Sequence, residues 1–317
     1  MPEKLKNKKV LVTGGAGFIG SHIVDRLVCL GADVVVLDDL SSGKLENLSQ
    51  SQEKVKFIRG DIRDEKALVA ALEGVDAVSH QAAWRSVPKS VDKPWEYNEV
   101  NVNGTLKLFL KAKEKGVRKI VCASSSSVYG ERDNFPEKED EIAKPISPYA
   151  ATKLIVEHYS YIFSKLYNME IVNLRYFNVY GPRQSLDDEY AVVVPKFINC
   201  LLKGESPPIY GDGDQERDFT YIGNVVDINL QCLIKENIAG EVFNVGLGLP
   251  NSVNKLLENL KKVIQSDIEA EYCPERLGDV RKTHADIGKA KKLIGWQPKI
   301  DFYQGLEATV DWFKGDK

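Results

Sequence analysis

The stretch VLVTGGAGFIGSHI, residues 10–23, constrains the fold more than any other part of the chain. Apolar β-formers run straight into spaced glycines, and a helical pattern follows. The stretch satisfies G-x-G-x-x-G with Gly15, Gly17 and Gly20, and the wider G-x-x-G-x-x-G with Gly14, Gly17 and Gly20. Glycines here permit a tight turn and let backbone N–H groups at the start of the helix approach a pyrophosphate. The match alone is weak, but leaving a strand and opening a helix is the context a dinucleotide site demands. An acid should follow roughly 20 residues on, at the end of the second strand, and Asp38 stands there in VVLDDL. Its carboxylate can accept from both ribose hydroxyls and would repel a 2′-phosphate, so NAD is expected rather than NADP.

The pattern continues. KVLVTG, DVVVLDD, VKFIRGD, DAVSHQAA, KIVCASSS and IVNLRYFNV read as strands, with amphipathic FIGSHIVDRLVCLG, EKALVAALEG and VNGTLKLFLKAKEKG among them. The last closes on Lys115-Gly116, a helix stop. This alternation predicts right-handed crossovers and an α/β fold, a doubly wound parallel (Rossmann) sheet with helices on both faces. Uniformly apolar strands suit burial on both sides. After Gly181-Pro182 the chain becomes less regular and richer in Pro, Gly and aromatics. Residues 1–180 are therefore expected to form the NAD-binding domain, with segments near 219–245 returning to it. Residues 181–317 are expected to form mainly a smaller lobe closing over the carboxyl ends of the strands, where ligands of open α/β sheets bind.

A net charge of -3, with no dense Lys/Arg stripe, gives no reason to expect nucleic acid. No apolar run approaches the roughly 20 residues a membrane helix needs, and the first one ends in glycines, unlike a secretory signal. Five scattered cysteines, odd in number and without a C-x-x-C pair, point to a reducing, cytoplasmic setting without disulfides or zinc. No two of the four histidines stand at metal-ligand spacing, so no metal is expected.

Two further stretches carry chemistry. SPYAATK contains Tyr149-x-x-x-Lys153, one helical turn apart and hence on one face. A free tyrosine titrates at about 10, too high for a base at neutral pH. A lysine ammonium beside it, with the charge of an oxidised nicotinamide, is expected to lower that value. ASSSSVYG, residues 123–130, ends a strand with four serines, one of which can bond the substrate oxygen in the same crevice. Asp61, in GDIRD, can accept from an adenine amino group or cap a helix.

With TGGAGFIGSH, LDDLSSG, GDIRD, HQAA, NVNGT, SSSSVYG, SPYAATK, LRYFNVYGPRQ, GDGDQERDFTYI and ERLGDVRKTHADI all present, the chain resembles the extended short-chain dehydrogenase/reductases. The similarity runs from about Lys9 to Pro298 and is to the UDP-hexose 4-epimerases, above all those acting on UDP-N-acetylglucosamine. It implies Ser125 as the hydroxyl residue acting with Tyr149, and Lys153 on the nicotinamide ribose. On the cofactor side it implies Gly14, Gly17, Phe18, Ile19 and Gly20 in the loop, then Asp38 and Asp39. Asp61, Ile62, Ala82, Ala83 and Phe177 complete that set. On the substrate side it implies Arg85, Ser86, Ser126, Asn178, Val194 and Tyr210 beside Ser125 and Tyr149. Arg217, and Arg276 with Asp279, are implied at the diphosphate and ribose, where the bidentate fork of arginine suits a tight anchor.

The resemblance also narrows the reaction. Dehydratases of the family carry Asp-Glu after the hydroxyl residue, and decarboxylases carry Glu, where this chain has Ser126 and Ser127. Oxidation and re-reduction at C4 is the chemistry left. Thr283, four residues after Asp279, matches the position that limits the sugar pocket, where tyrosine restricts it to glucose and galactose. A small residue leaves room for an N-acetyl group, so UDP-N-acetylglucosamine and UDP-N-acetylgalactosamine are expected, with UDP-glucose and UDP-galactose the alternative. Asn178 stands where uronate epimerases tend to have threonine, which disfavours glucuronate. GDGDQE lacks the remaining ligands of a calcium loop and reads as a turn. Family members pair through helices like those beginning near Pro94 and Tyr149, which implies a homodimer. The rival readings are a lyase or net-redox enzyme on this scaffold and a non-catalytic NAD sensor, which would need none of Ser125, Tyr149 and Lys153.

Overall fold

Seven strands form one all-parallel sheet: β1 (Lys9–Thr13), β2 (Asp33–Asp38), β3 (Val55–Arg59), β4 (Ala77–His80), β5 (Lys119–Ser125), β6 (Glu170–Tyr176) and β7 (Val242–Val245). The structure is a computed structural model describing residues 2–186, 193–275 and 280–315. The spatial order is β7-β6-β5-β4-β1-β2-β3, so the winding reverses between β1 and β4 and opens a crevice at their carboxyl ends. The pleat explains the two-sided burial. Val10 and Val12 join the core on one face and Leu11 the core on the other, all fully buried.

Helices Phe18–Cys29 and Ile222–Ile234 supply Ile23, Val24, Leu27, Val225 and Ile228 to the first face. Helices Glu65–Ala71, Thr105–Glu114 and Pro148–Tyr167 supply Leu68, Phe109, Ala112, Val156 and Phe163 to the second. The six strands read from periodicity are all present. The seventh, β7, is only four residues long and enters the sheet by pairing with β6, from Val242↔Asn173 to Val245↔Tyr176.

A separate core lies under helices Val193–Lys203, Val253–Ile264 and Phe302–Lys314, where Phe197, Ile198, Leu256, Leu260 and Leu306 pack together. Helix Val253–Ile264 shows the cause most simply. Val253, Leu256, Leu257 and Leu260 fall on one stripe and are its buried residues. Ser252 caps its start by accepting from Lys255 N. In GDGDQE, Asp212 is paired with Arg281 at 2.9 Å and accepts from Asp214 N, which closes a turn. Among the described residues no helix is long and apolar enough to cross a membrane, and no group of three His, Cys, Asp or Glu side chains could hold a metal ion.

Candidate active site

The glycine loop leaves β1 with Gly14 at φ +66, where a Cβ would stand 2.7 Å from Ala82 N. A Cβ on Gly20 would stand 2.1 Å from Gly14 O. A side chain at Gly14 would drive the loop off the backbone that follows β4, and one at Gly20 would push the helix off the loop. Helix Phe18–Cys29 then begins with no side-chain cap at Gly17, which leaves its first N–H groups for a ligand. Asp38, at the end of β2, accepts from Ala16 N at 2.9 Å and from Leu40 N at 2.8 Å. Burial raises its pKa and these two donors oppose the rise. Asp39 ties down Ser41 through its N–H at 2.8 Å and its hydroxyl at 2.6 Å.

Asp61 is committed to Arg63, which donates from Nε at 3.0 Å and Nη2 at 2.6 Å and holds the carboxyl below its usual range. The helix that follows is capped by Asp64 instead. The capping role considered for Asp61 therefore belongs to its neighbour.

A cleft of about 410 Å³ runs from Gly14, Gly17, Phe18, Ile19 and Gly20 past Asp38, Asp39, Asp61 and Ile62, over Ala82 and Ala83, to Arg85, Tyr149 and Lys153. The residues fit a dinucleotide: an uncapped helix start for a pyrophosphate, a carboxylate for a ribose diol, and a Tyr-Lys pair at the far end. Gln81, Arg183, Gln184, Trp312 and Phe313 also line it. YGPRQ was the available signal for Arg183 and Gln184. Nothing local marks the two aromatics, which arrive on the last helix.

The four serines have four different fates. Ser124 turns inward and donates to Glu157 Oε1 at 2.6 Å. The Ser125 hydroxyl lies near enough to the Tyr149 phenol to favour its ionised form, and Ser127 bonds Ser125 Oγ through its N–H at 3.2 Å and its hydroxyl at 2.9 Å. Ser126 opens the short turn Ser126–Tyr129. Behind them Arg175 grips Glu157, Nε to Oε1 at 2.9 Å and Nη2 to Oε2 at 2.7 Å, with both side chains 5% exposed.

The protein's own groups raise the Tyr149 phenol: burial dominates, while the Ser125 hydroxyl and the positive charge of Arg85 pull the other way. Lys153 is not among these groups. Its Nζ donates to Ala123 O at 2.9 Å and lies 5.9 Å from the Tyr149 ring centroid. Burial also pushes the Lys153 ammonium down to about 8. A helical turn puts the two side chains on one face without aiming the ammonium at the phenol oxygen.

Asn101 was missed, although NVNGT contains it. It lies in a π-helical turn, Glu99–Gly104, within the continuous helical run from Pro94 to Glu114. Its Oδ1 accepts from Trp84 N at 2.8 Å, and its Nδ2 donates to Trp84 O and Thr152 Oγ1, both at 3.0 Å. Thr152 donates in turn to Tyr149 O at 2.7 Å. The segment carrying Arg85 is thereby fixed to the catalytic helix.

On the substrate side, Asn178 follows β6 at φ 34 and donates to Thr283 Oγ1 at 2.9 Å. Arg217 is 9% exposed and donates to Glu216 O at 2.9 Å, and Tyr210 ends the strand Pro208–Tyr210. Three more of the residues expected at the site have partners within the protein. Val194 is fully buried with Phe197 and Ile198, so its side chain is core. Phe177 is fully buried against Tyr129, ring centroids 6.2 Å apart. Ser86 caps helix Val87–Asp92, accepting from Lys89 N at 3.3 Å. Arg276 and Asp279 lie outside the described residues.

Residues 11–309 match the family model described as GDP-mannose 4,6 dehydratase. A putative UDP-glucose 4-epimerase of Methanocaldococcus jannaschii is 42% identical over 310 residues, covering 97% of this chain and 99% of that one. The UDP-N-acetylglucosamine 4-epimerase of Methanobrevibacter ruminantium, solved with UDP-N-acetylmuramic acid, superposes with a TM-score of 0.94 at 44% identity, over 98% of this chain and 100% of that one. The UDP-glucose 4-epimerase of Thermus thermophilus, solved with NAD, superposes at 0.89 and 38% identity, with 98% and 100% covered.

Proposed function

The chain belongs to the GDP-mannose 4,6-dehydratase family of extended short-chain dehydrogenase/reductases, and from that premise we propose that it is an NAD-dependent UDP-hexose 4-epimerase acting on UDP-N-acetylglucosamine and UDP-N-acetylgalactosamine. The observation that carries the reading is Ser125 beside Tyr149 at the end of a dinucleotide cleft, with Ser126 and Ser127 where a dehydratase needs carboxylates.

Bound NAD supplies the hydride acceptor and donor for C4, with no net redox change. Tyr149 takes the proton from the 4-hydroxyl and later returns it, and Ser125 steadies that oxygen. Burial excludes water and favours the neutral phenol, while Ser125 and Arg85 oppose it. Lys153 offers an ammonium to the nicotinamide ribose from its anchor on Ala123 O. Arg217, with Arg276 and Asp279, grips the nucleotide diphosphate and ribose so that the sugar can turn. Residues 1–180 and 219–245 form the cofactor domain, with Arg183, Gln184, Trp312 and Phe313 added to its cleft, and the remainder mainly binds the UDP-sugar.

The outward faces of the two helical segments beginning at Pro94 and Pro148 carry exposed Leu110, Ile162 and Leu166, which suit pairing of two copies as a homodimer. Five free cysteines suit a reducing cytoplasm. UDP-glucose and UDP-galactose are the second reading, favoured by the names of several relatives.

Incubation of the pure protein with each UDP-sugar, without added cofactor, tests the proposal. Interconversion of the 4-epimers is expected. A keto or decarboxylated product would favour the lyase reading, and binding without turnover the sensor.

A further inference from the structure

Arg183 and Gln184 line the cofactor cleft, although they follow residue 180, where the dinucleotide domain was expected to end. Each is fastened on one side and unspent on the other. Arg183 Nη2 pairs with Asp25 Oδ2 at 2.6 Å, and Pro182 O accepts from His22 Nε2 at 2.9 Å. His22 and Asp25 both lie on helix Phe18–Cys29, which begins at the glycine loop. Arg183 Nη1, by contrast, is buried with no hydrogen-bond partner among the described residues. Gln184 is 3% exposed and donates through Nε2 to Val179 O at 3.0 Å. A carbonyl can only accept, so the amide is oriented and Oε1 is the acceptor it has left. That oxygen too is buried with no partner among the described residues.

A buried polar atom left unpaired costs about 1–3 kcal/mol. Here two stand on successive residues, and Arg183 is also held at φ 64, which side chains rarely adopt. A dinucleotide supplies both missing partners. Its pyrophosphate offers only acceptors and carries two negative charges, of which the helix start answers roughly half an elementary charge. The adjoining ribose hydroxyls offer donors. We propose that Arg183 Nη1 donates to the cofactor pyrophosphate and Gln184 Oε1 accepts from a hydroxyl of the adjoining ribose, so that the two residues clasp bound NAD to the helix of the glycine loop. Such a clasp suits a reaction that never releases its cofactor.

A different account gives Arg183 only the task of tying its own segment to the helix. Breaking the tie at Asp25 should then cost as much as removing the arginine. Arg183→Gln and Asp25→Asn separate the two accounts. The readout is the rate at which holoenzyme exchanges its bound NAD for deuterium-labelled NAD, followed by mass spectrometry of the retained nucleotide. No sugar is present, so the result stands apart from the epimerase reading.

Arg183→Gln should exchange roughly 10–100-fold faster, the worth of one charge-assisted hydrogen bond. Asp25→Asn keeps the guanidinium and should exchange close to the wild-type rate. Affinity for UDP, measured by calorimetry, should be unchanged in Arg183→Gln. A wild-type exchange rate in Arg183→Gln, equal acceleration in Asp25→Asn, or a parallel loss of UDP affinity overturns the proposal. Gln184→Met should also exchange faster, and an unchanged rate there overturns the ribose contact. Should Arg183→Gln fail to fold, Arg183→Lys decides. A single ammonium cannot meet Asp25 and the pyrophosphate as a fork does, so exchange should still be faster, and a wild-type rate overturns the proposal.

Discussion

Ser124 Oγ donates to Glu157 Oε1 at 2.6 Å, joining the end of β5 to the middle of the catalytic helix. Glu157 is also the partner of buried Arg175, whose guanidinium lies 4.6 Å from the Tyr129 ring centroid. One carboxylate therefore holds the serine turn, the helix bearing Tyr149 and β6 in register. Glu157→Ala would leave Arg175 buried without its counter-ion and should destabilise the fold by about 3–5 kcal/mol. Ser124→Ala should cost only about 1 kcal/mol. Denaturant unfolding of both variants checks the order, and equal losses would contradict it.

Tyr149→Phe should fold, keep its cofactor and lose most turnover, by roughly 10²–10⁴-fold, the usual contribution of a positioned acid–base group. The phenol ring packs edge-on to Tyr97 at 6.5 Å, so removing the hydroxyl leaves the packing intact. Initial rates and the nicotinamide content of the variant give the answer. Near-normal turnover would remove Tyr149 from the mechanism.

Asp38→Ala removes the carboxylate that faces the cleft and also the acceptor for Ala16 N and Leu40 N. NAD affinity should fall by about 1–3 kcal/mol through donors left unpaired. Purified wild type should release NAD(H) on denaturation, because the reaction never requires the cofactor to leave. A denatured extract without nicotinamide nucleotide, with activity dependent on added NADP, would defeat the cofactor assignment.

Glu137 is 2% exposed and its carboxylate accepts from His284 N at 2.6 Å. Burial, aided by Asp218 and Glu141, pushes it up to about 7, and the His284 N–H opposes that rise. An unfolded glutamate titrates at about 4.3, so the native state holds a proton between these values that the unfolded chain has lost. The contribution to stability is complete below the unfolded value and lost as pH rises through the folded one. Stability measured by denaturant at about pH 5 and about pH 8 should fall by on the order of 2 kcal/mol through this group, and Glu137→Gln should flatten the slope. A slope unchanged in the variant would assign it to other groups.

Leu166 is 69% exposed and Leu110 41%, on helices whose inner faces already fill the core. Pairing of two copies across these faces should give a dimer in light scattering at micromolar concentration. Leu166→Glu with Ile162→Glu should shift the particle to half the mass. A wild type that is strictly monomeric would refute the assembly.

The glycine loop, Asp38 and the Tyr149–Lys153 spacing were legible in the chain because their constraints are local. A turn without room for Cβ, an acid at the end of the second strand and a one-turn repeat on a helix are each set within a few residues. The other six strands were legible for the same reason, through their own apolar runs. β7 lies beyond the regular alternation of strand and helix, and its pairing with β6 is what places it in the sheet. Only tertiary structure could decide which serine meets Tyr149 and which meets Glu157, or give Asn178 its partner Thr283, 105 residues away. It also set Lys153 Nζ on Ala123 O, 5.9 Å from the Tyr149 ring centroid. Spacing along a helix fixes which side chains share a face, whereas a pKa depends on burial and on where each charge points, and the whole fold determines both.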